Sequence, residues 1–169
     1  MPDLWVRFKR GKDGPDTLTC TRSDGSCTWQ RLYPNFVVHD LCHYATESLL
    51  GLREGFLGLL AQGWDLQDFG SPWPRGPLPA EAGWAEAVTS TIWQGYLGML
   101  TLDQVMEQLG PHPVTQRRVA RAEVERIHAF VGGWVAEWRA VPPGGAMELP
   151  FPASRTLART GAGSALVEG

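Results

Sequence analysis

The chain has 169 residues, a net charge of -3 and 43% hydrophobic residues, which fits one folded domain with its own core. No apolar run reaches the about 18 residues of a membrane helix, and no Arg/Lys run is interleaved with aromatic residues as in nucleic-acid binding. The chain begins without the pattern of a signal peptide, and three cysteines, an odd number, fit reduced thiols. We therefore expect a cytoplasmic protein with neither a nucleic acid nor a membrane as its partner.

The first thirty residues have the alternating pattern of β-strands. "LWVRFKR" alternates apolar and polar residues, and "TLTCTRSDGSCTWQRL" is typical of a hairpin. Asp24 and Gly25 suit a two-residue type I′ turn, which would pair Cys20 with Trp29. In that register Cys20, Cys27 and Trp29 would share the apolar face of the sheet.

After Pro34 the apolar residues follow helical spacing. Asn35 and Gly51 are suitable cap positions for a helix over 36–50. "EGFLGLLAQGW" and "TLDQVMEQLG" predict two short helices, and Gly132-Gly133 indicates a kink or a close crossing in the last helix. The two remaining predicted helices cover residues 80–99 and 115–140.

Together these elements predict an α+β fold, with a small antiparallel sheet packed on four to five helices. The N-terminal strand and the hairpin form most of the sheet. "AMELPF" near the end can add a strand at an edge, because Pro150 disfavours a central position. We expect one globular domain over residues 1–152 and a mobile C-terminal tail over 153–169.

The stretch "VVHDLCHYATESLLG" carries the candidate site. At about 100° per residue, His39, His43, Glu47 and Asp40 fall within one quadrant of the predicted helix, opposite its apolar stripe. The spacing of His39 and His43 lets two imidazoles bind one divalent ion. Zinc suits histidine and carboxylate ligands, and iron or manganese fits nearly as well. The alternative is that these side chains are only the solvated face of an amphipathic helix.

The motif "HDLCH" resembles the H-E-x-x-H signature of the zincins, with Asp40 in the place of their glutamate. The resemblance implies that His39 and His43 are metal ligands and that Asp40 is the general base on a metal-bound water. It also implies a third ligand elsewhere in the chain. The candidates are Glu47, Glu54, Glu81, Glu86 and His128, with Glu125 placed to join or orient His128.

Two further resemblances concern the same stretch. A family of ubiquinone-biosynthesis proteins carries H-D-x-x-H followed by a glutamate, and Glu54 stands one residue short of that position. This resemblance implies that the H-D-x-x-H pattern can bind zinc. The longer run "HDLCHYATESLLGLREGFLGLLAQGW" is similar to a run in uncharacterised bacterial proteins and implies no function.

The sequence thus supports two hypotheses on function. The first is a metal-binding protein whose site lies on residues 39–47, either as a hydrolase of a small molecule or peptide or with a structural ion that links to His128. The second is a non-catalytic interaction or accessory protein, with Trp73 in "GSPWPRGP" as its anchor. His112, between prolines in "GPHP", is expected to be an exposed loop residue. Substrate and oligomeric state stay open.

Overall fold

A four-stranded antiparallel sheet and five α-helices make up residues 1–152, the part of the chain that this computed structural model describes. The predicted α+β fold is therefore confirmed, and the predicted tail over 153–169 lies outside the described residues. Within residues 1–152, no helix is long and apolar enough to cross a membrane. The elements are β1 (Leu4–Lys9), β2 (Thr17–Arg22), β3 (Cys27–Arg31), α1 (Phe36–Leu50), α2 (Phe56–Ala61), a 3-10 turn (Leu66–Phe69), α3 (Ala80–Tyr96), α4 (Leu102–Gln108), α5 (Arg121–Ala140) and β4 (Ala146–Phe151).

The sheet has the strand order β3-β2-β1-β4. Side chains alternate along β1, so that Leu4, Val6 and Phe8 are fully buried under the helices while the residues between them are exposed. The strand β4 pairs only with β1 and forms an edge, as the proline at position 150 predicted.

The hairpin between β2 and β3 differs from the predicted register. Cys20 pairs with Thr28 rather than with Trp29, because the N–H of Arg22 donates to the carbonyl of Ser26 and leaves a loop of three residues, in which Gly25 adopts a positive φ of 85°. A shift by one residue turns every side chain of a strand to the other face. Thr28 is accordingly buried, while Cys27 and Trp29 are exposed, so the prediction that Cys20 and Cys27 share a face was wrong.

The helix α1 has the predicted bounds and lies at the centre of the helical layer. It ends where Gly51 adopts a positive φ of 70° and its N–H donates to the carbonyl of Glu47. It packs against both α3 and α5. With neighbours on two sides, even the polar face of α1 is largely buried: His43 is 3% exposed and Asp40 is 7% exposed.

Two other helices are shorter than the sequence predicted. The helix α3 ends at Tyr96, just before Gly98 with its positive φ, and α5 begins only at Arg121, after a loop in which Gln116 has a positive φ. The close crossing at Gly132-Gly133, one of the two alternatives that the sequence predicted, is not observed. The helix is continuous there, and a Cβ at either glycine would meet nothing within 4 Å.

Candidate metal centre

Two histidines of α1 and one glutamate of α3 converge at the contact between these helices. The Nε2 atom of His43 lies 3.0 Å from Oε2 of Glu86, and Nε2 of His39 lies 3.8 Å from Oε1 of the same carboxylate. One ligand atom from each residue lies within 4.8 Å of the others. Two imidazoles and one carboxylate form a donor set that divalent metals favour. The cluster of His39, His43 and Glu86 could therefore hold a divalent metal ion.

The access to this cluster is uneven. The side chains of His39 and His43 are 14% and 3% exposed, whereas that of Glu86 is 56% exposed. The two imidazoles are thus enclosed by the protein, and the carboxylate of Glu86 is the member of the cluster on the solvent side.

Each imidazole also has a carboxylate at its other ring nitrogen, Nδ1. Oδ1 of Asp40 is 3.4 Å from Nδ1 of His39, and Oε1 of Glu47 is 3.2 Å from Nδ1 of His43. A carboxylate at Nδ1 keeps a proton on that nitrogen and leaves Nε2 as the nitrogen that could exchange its proton for a metal ion. Both Nε2 atoms would then be available as metal donors. Asp40 Oδ2 is buried and has no hydrogen-bond partner among the described residues.

Glu47 is held rigidly in its place. Its side chain has no solvent exposure, and Oε2 accepts hydrogen bonds from the backbone N–H groups of Leu57 at 2.9 Å and Gly58 at 3.1 Å, in the first turn of α2. Gly55 covers the carboxylate so closely that a Cβ there would lie 2.5 Å from its carbon. The segment between α1 and α2 therefore fixes Glu47, and Glu47 in turn contacts His43.

Aromatic rings surround the two histidines. Phe36 and Trp93 lie against His39, with ring centroids 5.6 Å and 5.0 Å away, and Phe56 lies 5.2 Å from His43. These apolar walls exclude water from the ring faces. Electrostatic interactions in the cluster are consequently stronger than they would be in water.

The charges around the cluster shift the pKa values of its members. Burial opposes protonation of His43, but the hydrogen bonds to Glu47 and Glu86 and their negative charges outweigh it and raise the pKa of His43 to about 10. The pKa of His39 is also raised, because Asp40 and Glu86 outweigh its burial. The same contacts to the histidines hold the pKa of Glu86 well below its ordinary value. A metal ion would replace the proton that each imidazole holds at Nε2, on the side of Glu86.

The other candidate ligands lie outside this cluster. His128 on α5 has its Nε2 atom 3.0 Å from the carbonyl oxygen of Ile92, and that nitrogen must donate because a carbonyl only accepts. Glu54 is exposed in the loop before α2, and Glu125 is exposed on α5. Glu81 on α3 accepts hydrogen bonds from backbone N–H groups of that same loop. Among the candidates for a third ligand, Glu86 is the one that the packing of α3 on α1 brings to the Nε2 atoms of the two histidines.

His112 is buried, contrary to the expectation of an exposed loop residue. It is 8% exposed, and its Nδ1 accepts hydrogen bonds from the N–H groups of Val114 and Thr115. Its Nε2 therefore carries the proton and donates to Glu81 at 3.2 Å. These amides lie only two and three residues after His112, so the ring closes its own loop through local hydrogen bonds. The flanking prolines in the sequence had favoured an exposed position instead.

Trp73, the anchor of the interaction hypothesis, lies in an exposed segment, as the Pro- and Gly-rich composition of that segment indicates. Trp73 is 47% exposed and lines a shallow apolar surface pocket with Pro72 and Leu78. The structure thus offers both a metal-ligand cluster and an exposed tryptophan, on different parts of the chain.

The resemblance to the zincins and to the ubiquinone-biosynthesis family rests on the motif of α1 alone and remains a prediction. Comparison of the chain with protein-family models, with curated proteins and with solved structures finds no match.

Proposed function

We propose that this protein binds one divalent metal ion, with zinc as the leading candidate, and uses it to hydrolyse a small substrate. His39 and His43 supply one Nε2 donor each, and Glu86 supplies a carboxylate oxygen. The observation that carries the proposal is the convergence of these three groups within 4.8 Å of one another. The choice of zinc rests on the preference of this ion for sites with two histidines and one carboxylate.

The surroundings of the ligands support a metal site rather than a solvated helix face. A solvated face would leave the imidazoles in water, whereas the side chain of His43 is 3% exposed. Carboxylates at the second nitrogen of a metal-binding histidine are the usual arrangement in metalloproteins, since they fix the ring and raise its basicity. Both imidazoles have such a carboxylate here, from Asp40 and from Glu47.

The open side of the cluster supports a catalytic site. Three protein ligands would leave a coordination position free, and Glu86, with 56% of its side chain exposed, lies on the solvent side of the cluster. A divalent ion held by these residues would lower the pKa of a water that it binds. In the hydrolysis that we propose, the oxygen of a water molecule would bond to the acyl carbon of the substrate. The bond to the leaving group would break, and the leaving group would depart with a proton from that water.

The residues around the cluster would divide the work as follows. Glu86 is the carboxylate on the Nε2 side of both histidines and would serve as the third ligand. Asp40 lies at the Nδ1 edge of His39, and this position suits the orientation of that ring rather than the role of general base. Glu47 orients His43 in the same way.

The proposal is tested by the metal content of the protein, purified without an affinity tag or chelator and analysed by elemental analysis. We expect about one ion per chain in the wild type. The variant His39→Ala/His43→Ala should contain none, and Glu86→Gln should lose the ion on mild dialysis. Circular dichroism spectra and thermal melts identify variants that remain folded.

Two matched variants serve as controls. His128→Ala removes a histidine that is bonded to a backbone carbonyl, and Glu125→Gln removes an exposed glutamate of α5. Both should retain the full metal content. A wild-type protein without metal, even after incubation with zinc, iron and manganese salts, would contradict the proposal. The interaction hypothesis with Trp73 as its anchor would then be the better one.

A further inference from the structure

Two exposed aromatic rings form a row that begins at His39. The ring of Phe36 lies 5.6 Å from that of His39, and the ring of Tyr33 lies 5.9 Å from that of Phe36. Phe36 is 43% exposed and Tyr33 is 76% exposed, whereas Trp93 on the other side of His39 is half-buried. A continuous row of aromatic rings thus leads from solvent to a metal ligand.

The backbone holds these two rings at the edge of the cluster. The N–H of Phe36, the first residue of α1, donates to the carbonyl of Tyr33 at 3.1 Å, and Asn35 between these two residues has a positive φ of 68°. A positive φ is unfavourable for a residue with a side chain, and such conformations are frequent at binding sites. The turn presents both rings to solvent although burial would stabilise them. An apolar ligand that covered the rings would recover this free energy.

The charges of the cluster restrict which ligand can lie there. The charged groups that contact His39 and His43 are the carboxylates of Asp40, Glu47 and Glu86. These three negative charges outnumber the two positive charges that a divalent ion would bring, so a negatively charged substituent beside the cluster would be repelled. An uncharged aromatic group meets no such repulsion and can pack edge-to-face or offset on Phe36 and Tyr33.

Resting on the proposed function, we infer that the substrate carries an uncharged aromatic group next to its hydrolysable bond, and that Phe36 and Tyr33 bind this group. The two residues touch the substrate and set its specificity, while the metal ligands bind the reacting atoms. The substrate class is then an aromatic acyl compound, which the cluster alone does not specify.

The test uses the zinc-loaded protein and two chelating probes, benzohydroxamate and acetohydroxamate. Both bind a metal through the same two oxygens and differ in the phenyl or methyl group that they carry. We expect benzohydroxamate to bind about tenfold more tightly, as contacts of one aromatic group with two rings allow. In the variant Phe36→Ala/Tyr33→Ala, the preference for benzohydroxamate should fall to the preference that the greater hydrophobicity of phenyl over methyl gives by itself. The affinity for acetohydroxamate should be unchanged.

The control variant is Trp29→Ala, which removes a similarly exposed aromatic ring, 55% exposed, from β3 on the sheet. It should keep the full preference for benzohydroxamate. Equal binding of the two probes to wild-type protein, or an unchanged preference in the double variant, would overturn the aromatic site and leave the metal site intact. A protein that takes up no zinc would overturn both, and elemental analysis of the same samples distinguishes these results.

Discussion

The carboxylate of Glu47 lies 3.2 Å from Nδ1 of His43 and is itself held by two backbone N–H groups of α2. This contact connects the candidate metal centre to the segment that follows α1, and Phe56 of the same segment packs against His43. A change in that segment can therefore reach His43 through the buried carboxylate of Glu47. Substitutions at Glu47 and at Gly55 examine this connection.

We expect Glu47→Gln to weaken metal binding by about 10- to 100-fold, the usual cost of removing a carboxylate behind a metal-binding histidine. The amide is uncharged, so it no longer raises the basicity of His43, and its NH2 group cannot accept the hydrogen bonds from α2. The affinity is measured by competition with a chromophoric chelator. Glu54→Gln, an exposed glutamate seven residues later, should bind metal like the wild type. Equal affinities in the two variants would show that Glu47 does not orient His43.

We expect Gly55→Ala to lower both the stability and the metal affinity. The φ of Gly55 is -74°, which alanine adopts without strain, so the effect comes from contact alone. The new Cβ would lie 2.5 Å from the carbon and 2.6 Å from Oε2 of the Glu47 carboxylate, which three hydrogen bonds hold in place. Overpacking of this kind costs about 1–3 kcal/mol. Denaturant titration and the same chelator competition measure the two effects.

Gly14→Ala is the matched control, because a Cβ at that position would meet nothing within 4 Å. It should leave the metal affinity unchanged. If Gly55→Ala had the stability and the affinity of the wild type, the Glu47 side chain would be free to move and could not be the rigid support of His43.

The fold should lose stability in acid through Glu81. Partial burial opposes ionisation of this side chain, but hydrogen bonds from the N–H of Glu54, from His112 and from the N–H of Arg53 outweigh it and lower its pKa below the ordinary 4.5. A lowered pKa stabilises the fold above pH 4.5, and this stabilisation disappears as the pH falls through the pKa of the folded state. Thermal melts from pH 6 downwards, in metal-free buffer, should show a flatter dependence for Glu81→Gln than for the wild type.

Glu107→Gln serves as the comparison for the acid melts, since Glu107 is exposed on α4. Its profile should follow that of the wild type. A Glu81→Gln profile that is as steep as the wild-type profile would assign the acid sensitivity to other carboxylates.

We expect Gly133→Ala to stabilise the protein by about 0.5–1 kcal/mol, because glycine inside a helix is less favourable than alanine. Gly133 is exposed in the middle of α5, and a Cβ there would meet nothing within 4 Å. Chemical denaturation measures the change. A loss of stability would indicate that this face of α5 is covered by a partner, such as a second copy of the chain.

The bounds of α1 could be predicted from local signals. Gly51 provides the left-handed conformation that ends the helix, and the apolar stripe determines which face turns to the sheet. These signals depend on residues near in sequence, and the structure has the predicted helix at Phe36–Leu50. The spacing that brings His39 and His43 together belongs to the same local geometry.

The choice of a third group for the cluster could not be made in this way. Glu86 follows His43 by more than forty residues, and in the sequence it is one of several acidic residues with equal claim. Its place beside the histidines depends on how α3 packs against α1. The role of Glu47 has a similar origin, because its partners Leu57 and Gly58 reach it only when α2 folds back on α1.

The sequence by itself determined the fold class, the position of the motif helix and the pairing of two histidines on one face, since periodicity and caps act over a few residues. Tertiary structure decided the register of the hairpin, the burial of His112 and the assembly of Glu86 with the histidines. The register depends on a hairpin loop that is one residue longer than predicted. The other two features depend on contacts between segments that are distant in sequence. Local patterns carry no information on such contacts, because many side chains fit the polar face of a helix and only packing selects one of them.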